Sequence, residues 1–161
     1  MGMVMKVYVA SSWRNELQPK VVWALRDAGF EVYDFRNPPN GSAFSWSRVW
    51  EEWSPDWEDQ FDQALDHPLA KAGYYSDIDA LQECDICVLV LPCGRSAHLE
   101  AGYAAGMEKR LVILVPEPIE PELMYKMGEL VFSPESAVAE CLAYLGEKEN
   151  ELNDPFPDGG G

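Results

Sequence analysis

Positive charge is scarce in this sequence. Only 12 residues are Lys or Arg, against 28 Asp or Glu, and the formal net charge is −16 at pH 7. Most of such a surface repels a polyanion, so we expect no binding to DNA or RNA. A small anion needs only a local cluster of donors and is compatible with this charge.

Long apolar runs are also missing. No stretch is long enough to span a bilayer, and the first residues, MGMVMKVYVASS, run directly into a strand pattern instead of a signal-peptide pattern. We therefore expect a cytoplasmic protein with no membrane partner. The chain has 161 residues, of which 47% are hydrophobic, which suffices for one domain with a real core.

Cysteine and histidine are few, with 4 and 2 copies. Cys84 and Cys87 form a CxxC pattern, which can bind zinc or carry redox chemistry. However, no second CxxC or His pair accompanies it, and positions three apart in an extended strand point to opposite faces. We interpret these cysteines as small buried residues and expect no metal and no cofactor.

What the sequence does contain is an alternation of strand and helix patterns. Apolar runs alternate with segments whose apolar residues recur at helical spacing. Strands are predicted at 6–10, 30–34, 85–91, 111–115 and 130–132. Helices are predicted at 16–28, 57–65, 70–82, 96–108, 120–127 and from Pro134 to about residue 145.

Such alternation predicts an α/β fold, with a doubly wound parallel sheet and helices on both faces. The common order for five strands is 2-1-3-4-5, as in flavodoxin-like and Rossmann-like folds, and ligands then bind at the carboxyl ends of strands one and three. We predict a single domain over residues 1–146 and a polar, flexible tail over 147–161.

A Trp-rich loop insert interrupts this alternation over residues 36–57. It contains adjacent prolines, a glycine and most of the tryptophans, a composition unlike that of a linker. We interpret the insert as a long functional loop or lid with short helical turns.

Two loops predicted to meet at the crevice both contain what an anion site needs. The loop after strand one offers hydroxyls and a guanidinium, and the loop after strand three leads into a helix N-terminus, where unpaired N–H groups favour negative charge. The alternative is a plain N-cap serine with two solvated arginines. The candidate phosphate-binding residues are Ser11, Ser12, Arg14, Gly94, Arg95 and Ser96.

A carboxylate, Glu100, follows in the first turn of that helix. It could simply complement the helix dipole, which stabilises by under about 1 kcal/mol. Alternatively, the small residues Ala97, Ala101 and Ala104 pack the helix tightly onto the sheet and leave the carboxylate partly enclosed at the crevice. An enclosed carboxylate can act as a nucleophile or as an acid/base, and the residues alone leave both interpretations open.

Tyr8 and Asp77 are two further ionisable candidates. Tyr8 lies in the middle of strand one, where its hydroxyl could reach Glu100, although an ordinary core tyrosine is the favoured interpretation from the residues alone. Asp77 and Asp79 are roughly 200° apart around the helix before strand three, so at most one of them faces the crevice.

Three segments stand out in combination: VYVASSWRN at 7–15, SDIDALQECDICVLVLP at 76–92 and HLEAGYAAG at 98–106. In this order they resemble the nucleoside 2-deoxyribosyltransferase family, including its branch of nucleoside 5'-monophosphate N-glycosidases. The resemblance covers about residues 5–116. It implies an enzyme that cleaves the N-glycosidic bond of nucleosides or nucleoside 5'-monophosphates, by hydrolysis or by transfer of the deoxyribosyl group to another base.

The resemblance also implies roles for individual residues. Glu100 matches the glutamate that attacks the anomeric carbon, Tyr8 the tyrosine that orients it, and Asp77 the aspartate that serves at the nucleobase or sugar. Ser12 and Arg14 match the serine and arginine that hold the 5'-phosphate in the monophosphate branch. The resemblance further implies a homodimer or a higher homo-oligomer.

If the protein has this function, the aromatic side chains of the insert are candidates for contacting the base. Phe44, Trp46 and Trp50 could stack on the base, or they could form a satellite hydrophobic cluster under the loop. Two other functions stay open: a non-catalytic nucleotide-sensing module of the same fold, and an NAD-glycohydrolase-type enzyme with related chemistry. In every case the partner is a small-molecule nucleoside or nucleotide.

Overall fold

A five-stranded parallel sheet forms the centre of the computed structural model, which describes residues 2–39, 41, 43–50 and 57–156. Its strand order is β2-β1-β3-β4-β5, so the predicted order is confirmed. The strands are β1 (Lys6–Ala10), β2 (Glu31–Asp34), β3 (Ile86–Val90), β4 (Arg110–Leu114) and β5 (Glu129–Val131).

Helices cover both faces of the sheet. Among the described residues, no helix is long and apolar enough to cross a membrane. The α-helices are α1 (Gln18–Asp27), α2 (Trp57–Leu65), α3 (Pro68–Glu83), α4 (Arg95–Gly106) and α5 (Pro134–Asn153). Short 3-10 helices occur at Trp46–Arg48 and Leu123–Met127.

Alternation along the strands divides the core into two halves. In β1, Val7 and Val9 pack under α1 and α5, whereas Tyr8 and Ala10 pack under α3 and α4. Every residue of β3 is buried, as the sequence predicts for a central strand covered on both faces. Tyr8 therefore lies on the same side of the sheet as α4.

Two helix predictions need correction. The segment predicted as a helix over 120–127 is helical only from Leu123, because a proline at 121 disfavours helical geometry in the residue before it. The last helix runs to Asn153 instead of ending near 145, helped by good helix formers and a 3.1 Å pair between Lys148 and Glu151. The predicted tail thus begins inside a helix, and its residues 157–161 lie outside the described part.

The expectation that Cys84 and Cys87 point to opposite faces is also wrong. Both are buried in the half of the core under α3 and α4, because Cys84 lies at the end of α3, before the extended strand begins. Cys84 donates its thiol hydrogen to the carbonyl of Leu81, and burial raises its pKa to about 11. In the described residues, no group of three or more His, Cys, Asp or Glu side chains could hold a metal ion.

Asn15 connects the two loops at the carboxyl end of the sheet. Its side-chain amide donates to the carbonyls of Val90 at 3.3 Å and Pro92 at 3.1 Å. Its Oδ1 accepts from the backbone N–H groups of Leu17 at 2.8 Å and Gln18 at 3.2 Å. One buried side chain thus uses both its donors and its acceptor to hold the start of α1 against the end of β3.

Asn15→Asp should destabilise the fold by about 2–4 kcal/mol, because the new carboxylate directs an oxygen instead of a donor at two buried carbonyls. Urea denaturation followed by circular dichroism measures the change. Asn150→Asp, on the exposed side of α5, is the matched control and should change the free energy of unfolding by at most about 0.5 kcal/mol. An Asn15→Asp protein as stable as the wild type would contradict this role of Asn15.

Candidate active site

A cavity of about 1190 Å³ opens at the carboxyl ends of β1, β2 and β3. Its walls come from the loop after β1, the end of β2 with the insert that follows, α3 and the start of α4. The predicted site residues that line it are Ser11, Ser12, Phe44, Trp46, Asp77, Gly94, Arg95, Ser96 and Glu100.

Three predicted residues are not among those that line the cavity. Tyr8 is completely buried next to it, with 0% of its surface exposed. Arg14 is exposed, and Trp50 is half-buried. The insert residues 40, 42 and 51–56 lie outside the described part of the chain.

The start of α4 leaves backbone donors for a ligand. Its N-cap is Gly94, which makes no side-chain capping bond. The alternative in which Ser96 serves only as the N-cap is therefore wrong, because Ser96 lies inside the helix. The first-turn N–H groups of α4 point toward the cavity end of the sheet, where Arg95 adds a positive charge.

Glu100 lies in the second turn of α4 and not in the first turn as predicted, because the helix already begins at Arg95, so simple complementation of the helix dipole does not explain this carboxylate. Ala97, Ala101 and Ala104 are buried against the sheet, as the sequence indicates, and they draw α4 close to it. Burial above all, together with the charge of Asp77, raises the pKa of Glu100 to about 7. The hydroxyls of Tyr8 and Ser96 act in the opposite direction and lower this pKa, because they stabilise the ionised carboxylate.

The Tyr8 hydroxyl lies beside Glu100 without a short hydrogen bond. Among the described residues its Oη has no partner within hydrogen-bonding distance, yet it is near enough to lower the Glu100 pKa. Burial and the nearby carboxylates raise the pKa of Tyr8 far above its ordinary value, so the phenol stays protonated.

Asp77 has a close partner, which is Tyr33. The Tyr33 hydroxyl donates to Asp77 Oδ1 at 2.8 Å and lies 2.8 Å from Ser76 Oγ. Burial raises the pKa of Asp77, and the bond from Tyr33 lowers it. Asp79 is exposed, which agrees with the prediction that at most one of the two aspartates faces the crevice.

The two tyrosines stack on each other and bring the two carboxylates together. Tyr8 and Tyr33 are register partners on β1 and β2, with ring centroids 5.1 Å apart and planes inclined by 15°. Glu100 and Asp77 are close enough that the charge of Asp77 raises the Glu100 pKa. The site therefore holds two coupled carboxylates, each beside a phenol.

Cys93 and His98 stand near this centre without forming a nucleophilic pair. Burial, followed by the Glu100 charge, raises the pKa of Cys93 to about 11 and keeps it a thiol. His98 Nδ1 lies 2.8 Å from the Gly94 carbonyl, which can only accept, so Nε2 accepts from the Tyr125 hydroxyl at 2.9 Å. His98 thus ties the start of α4 to the second 3-10 helix.

Arg36 organises the loop after β1, a role that the sequence analysis did not assign. Its Nη2 donates to the carbonyls of Ser12 at 3.0 Å, Trp13 at 2.8 Å and Asn15 at 2.8 Å. The guanidinium also lies 5.5 Å from the centroid of the Trp13 ring. A positive charge therefore sits directly against the loop that carries Ser11 and Ser12.

The sequence analysis also missed Tyr33, Ser76 and Arg48, all of which line the cavity. Tyr33 faces the same side as Tyr8 because the two are register partners on adjacent parallel strands, and neither strand's own pattern contains that register. Ser76 precedes Asp77 directly in the chain. No comparable signal marks Arg36 or Arg48, because both belong to the aperiodic insert.

The fold and the site together define a doubly wound α/β protein with a two-carboxylate crevice at the topological switch point. No protein-family model and no curated protein matches the chain. The chain is similar in structure to a 2-deoxyribosyltransferase from Bacillus psychrosaccharolyticus, with a TM-score of 0.60 and 20% identity over 87% of this chain and 95% of that one.

Two other solved structures are similar. A conserved protein from Enterococcus faecalis V583 gives a TM-score of 0.59 at 12% identity, over 88% of this chain and 99% of that one. The CMP N-glycosidase BcmB of Clostridium botulinum gives 0.46 at 16% identity, over 84% and 97% of the two chains. The comparisons with the two higher scores show a shared fold, and the fold that the sequence resemblance implies is confirmed.

The raised pKa of Glu100 should make stability depend on pH. The folded-state value of about 7 exceeds the ordinary value of 4.5, so ionising Glu100 destabilises the fold increasingly from about pH 4.5 to about pH 7 and constantly above that. Glu100→Gln removes this penalty. The variant should therefore be more stable than the wild type. This difference in unfolding free energy should be about 2 kcal/mol larger at pH 8 than at pH 5.5.

Urea denaturation at the two pH values measures this difference. Glu16→Gln, an exposed position before α1, is the control and should give the same small offset at both. A Glu100→Gln offset that does not change with pH would contradict the burial of an ionisable carboxyl at this position.

Proposed function

We propose that this protein cleaves the N-glycosidic bond of nucleosides or nucleoside 5'-monophosphates, with Glu100 as the nucleophile. The observation that carries the proposal is that Glu100 and Asp77 line one cavity and are electrostatically coupled. Two neighbouring carboxylates suit a reaction that needs one nucleophile and one acid at a sugar carbon. The fold shared with a 2-deoxyribosyltransferase is compatible with this chemistry.

The first half-reaction uses both carboxylates. As the bond between C1' and the base nitrogen breaks, its electron pair leaves with the base and positive charge develops on the sugar ring. An ionised Glu100 stabilises that charge and forms a C1'–O ester bond. Asp77 donates a proton to a nitrogen of the departing base.

The second half-reaction restores the enzyme. Water attacks C1', the ester bond breaks with its electron pair returning to Glu100, and the proton of the water passes to the Asp77 carboxylate. In a transferase, a nitrogen of a second base attacks in place of water. Both outcomes use the same residues, and product analysis distinguishes them.

The cycle makes opposite demands on the two carboxylates. Two carboxylates that repel each other retain a single proton between them over a range of pH. The reaction requires that proton on Asp77 and a negative charge on Glu100, which the Tyr8 hydroxyl stabilises. Because burial raises the Glu100 pKa to about 7, the nucleophilic form increases as the pH rises through neutrality.

The remaining lining residues supply candidate subsites. Ser12 and the start of α4 with Arg95 can hold a 5'-phosphate, whereas Ser11 already donates its hydroxyl hydrogen to the carbonyl of Val90 at 2.8 Å. Phe44 and Trp46 form an edge-to-face pair, with ring centroids 4.8 Å apart, at the wall where a base could stack. The homodimer or larger assembly that the resemblance implies stays a prediction.

Glu100→Ala should abolish base release, with a loss of at least about 10³-fold, because it removes the carboxylate that forms the sugar ester. The assay incubates the protein with a panel of nucleosides, deoxynucleosides, their 5'-monophosphates and NAD, and separates free bases by chromatography. Glu16→Ala is the matched control and should act like the wild type. Wild-type turnover by Glu100→Ala, or a ligand-induced thermal shift with no base release by the wild type, would overturn the proposal.

Arg95→Ala should raise KM for monophosphates about tenfold or more and leave KM for the matching nucleosides within about twofold, because it lines the cavity at a helix N-terminus. Arg14→Ala should have the smaller effect, since both arginines are exposed but only Arg95 is among the lining residues. Lys20→Ala, on the exposed side of α1, is the control. Equal losses on nucleosides and monophosphates in Arg95→Ala would exclude a phosphate role for Arg95.

A further inference from the structure

We infer that Tyr33 is a positioning residue that confines the acidic proton of Asp77 to Oδ2 and stabilises the carboxylate left after that proton is transferred. The inference rests on the proposed function, because it takes Asp77 as the acid of base departure. It concerns a tyrosine that lies outside the three segments on which the family resemblance is based.

The hydrogen-bond directions follow from the number of protons available. The single hydroxyl hydrogen of Tyr33 points to Asp77 Oδ1 at 2.8 Å. Ser76 Oγ is also 2.8 Å from the Tyr33 oxygen, so in this contact the serine hydroxyl is the donor. Oδ1 is thus already an acceptor, and a proton carried by Asp77 resides on Oδ2.

The Tyr33 hydroxyl is held in place by regular structure. Tyr33 lies within β2 and stacks on Tyr8, which is fully buried. Burial raises the pKa of Tyr33 above its ordinary value, so it remains a donor wherever the enzyme could work. A rigid donor of this kind needs no rearrangement when charge develops next to it.

The contact gains strength along the reaction. When Asp77 Oδ2 gives its proton to the base nitrogen, the electron pair of the breaking C1'–N bond goes to the base, and Asp77 becomes an anion. The bond from Tyr33 then changes from a neutral to a charge-assisted hydrogen bond, which is roughly twice as strong. Tyr33 therefore stabilises the transition state more than the bound substrate, which lowers the barrier and leaves binding nearly unchanged.

Tyr33→Phe tests this role, because it keeps the ring that stacks on Tyr8 and removes the donor. We expect kcat to fall about tenfold with KM within about twofold of the wild type. The alkaline limb of the kcat profile should move to higher pH, since the lost bond lowers the Asp77 pKa in the wild type. Tyr103→Phe is the matched control, because Tyr103 on α4 loses only an exposed hydrogen bond from Gln82 of α3. It should leave kcat and its pH profile unchanged.

A substrate whose base needs no proton separates positioning from a general loss of structure. A 7-methylguanine nucleotide carries a cationic base that leaves as a neutral molecule. On it Tyr33→Phe should retain wild-type kcat, whereas on the unmethylated guanine nucleotide the tenfold loss appears. Equal losses on both substrates would show a merely structural role for Tyr33 and overturn the inference.

A titration independent of turnover keeps the two proposals distinguishable. The ¹³C carboxyl signal of Asp77, assigned by its disappearance in Asp77→Asn, should titrate at higher pH in Tyr33→Phe than in the wild type. An unchanged midpoint overturns the inference even in an active enzyme. Conversely, a wild type that releases no base from the whole panel overturns the proposed function, and a raised midpoint would still establish the Tyr33–Asp77 coupling.

Discussion

The repulsion between two enclosed carboxylates is the interaction on which the chemistry of this protein depends. Glu100 and Asp77 face one cavity, burial raises the pKa of both, and the charge of Asp77 disfavours ionisation of Glu100 in addition to that burial. A solvated pair would lose two protons well below neutral pH. Enclosure instead raises the pKa of Glu100 to about 7, so this carboxyl holds its proton up to neutral pH.

The scaffold tolerates this repulsion because regular elements hold every member of the centre. Tyr8 and Tyr33 come from adjacent strands, Asp77 from α3 and Glu100 from α4. The loops mainly form the walls of the cavity around this centre. Asn15 fixes them to the end of β3, and Arg36 gathers three carbonyls of the loop after β1, so the cavity mouth has defined walls.

The parts that the sequence predicts are those governed by periodicity. Alternating strand and helix patterns predict the strand order, and the alanines around Glu100 predict its enclosure, because both follow from residues near in the chain. Tyr33 depends on the register between β1 and β2, which the single strand pattern does not contain. Arg36 acts through carbonyls of a distant loop, and the end of α5 is set by charged residues without apolar periodicity.

The stack of Tyr8 on Tyr33 has a consequence for how such a centre can vary. Each ring touches the other as well as serving its own carboxylate, so a substitution in one tyrosine alters the support of both acids. The four residues are energetically one unit, and their individual changes cannot be additive. This quartet can therefore be exchanged only through linked substitutions.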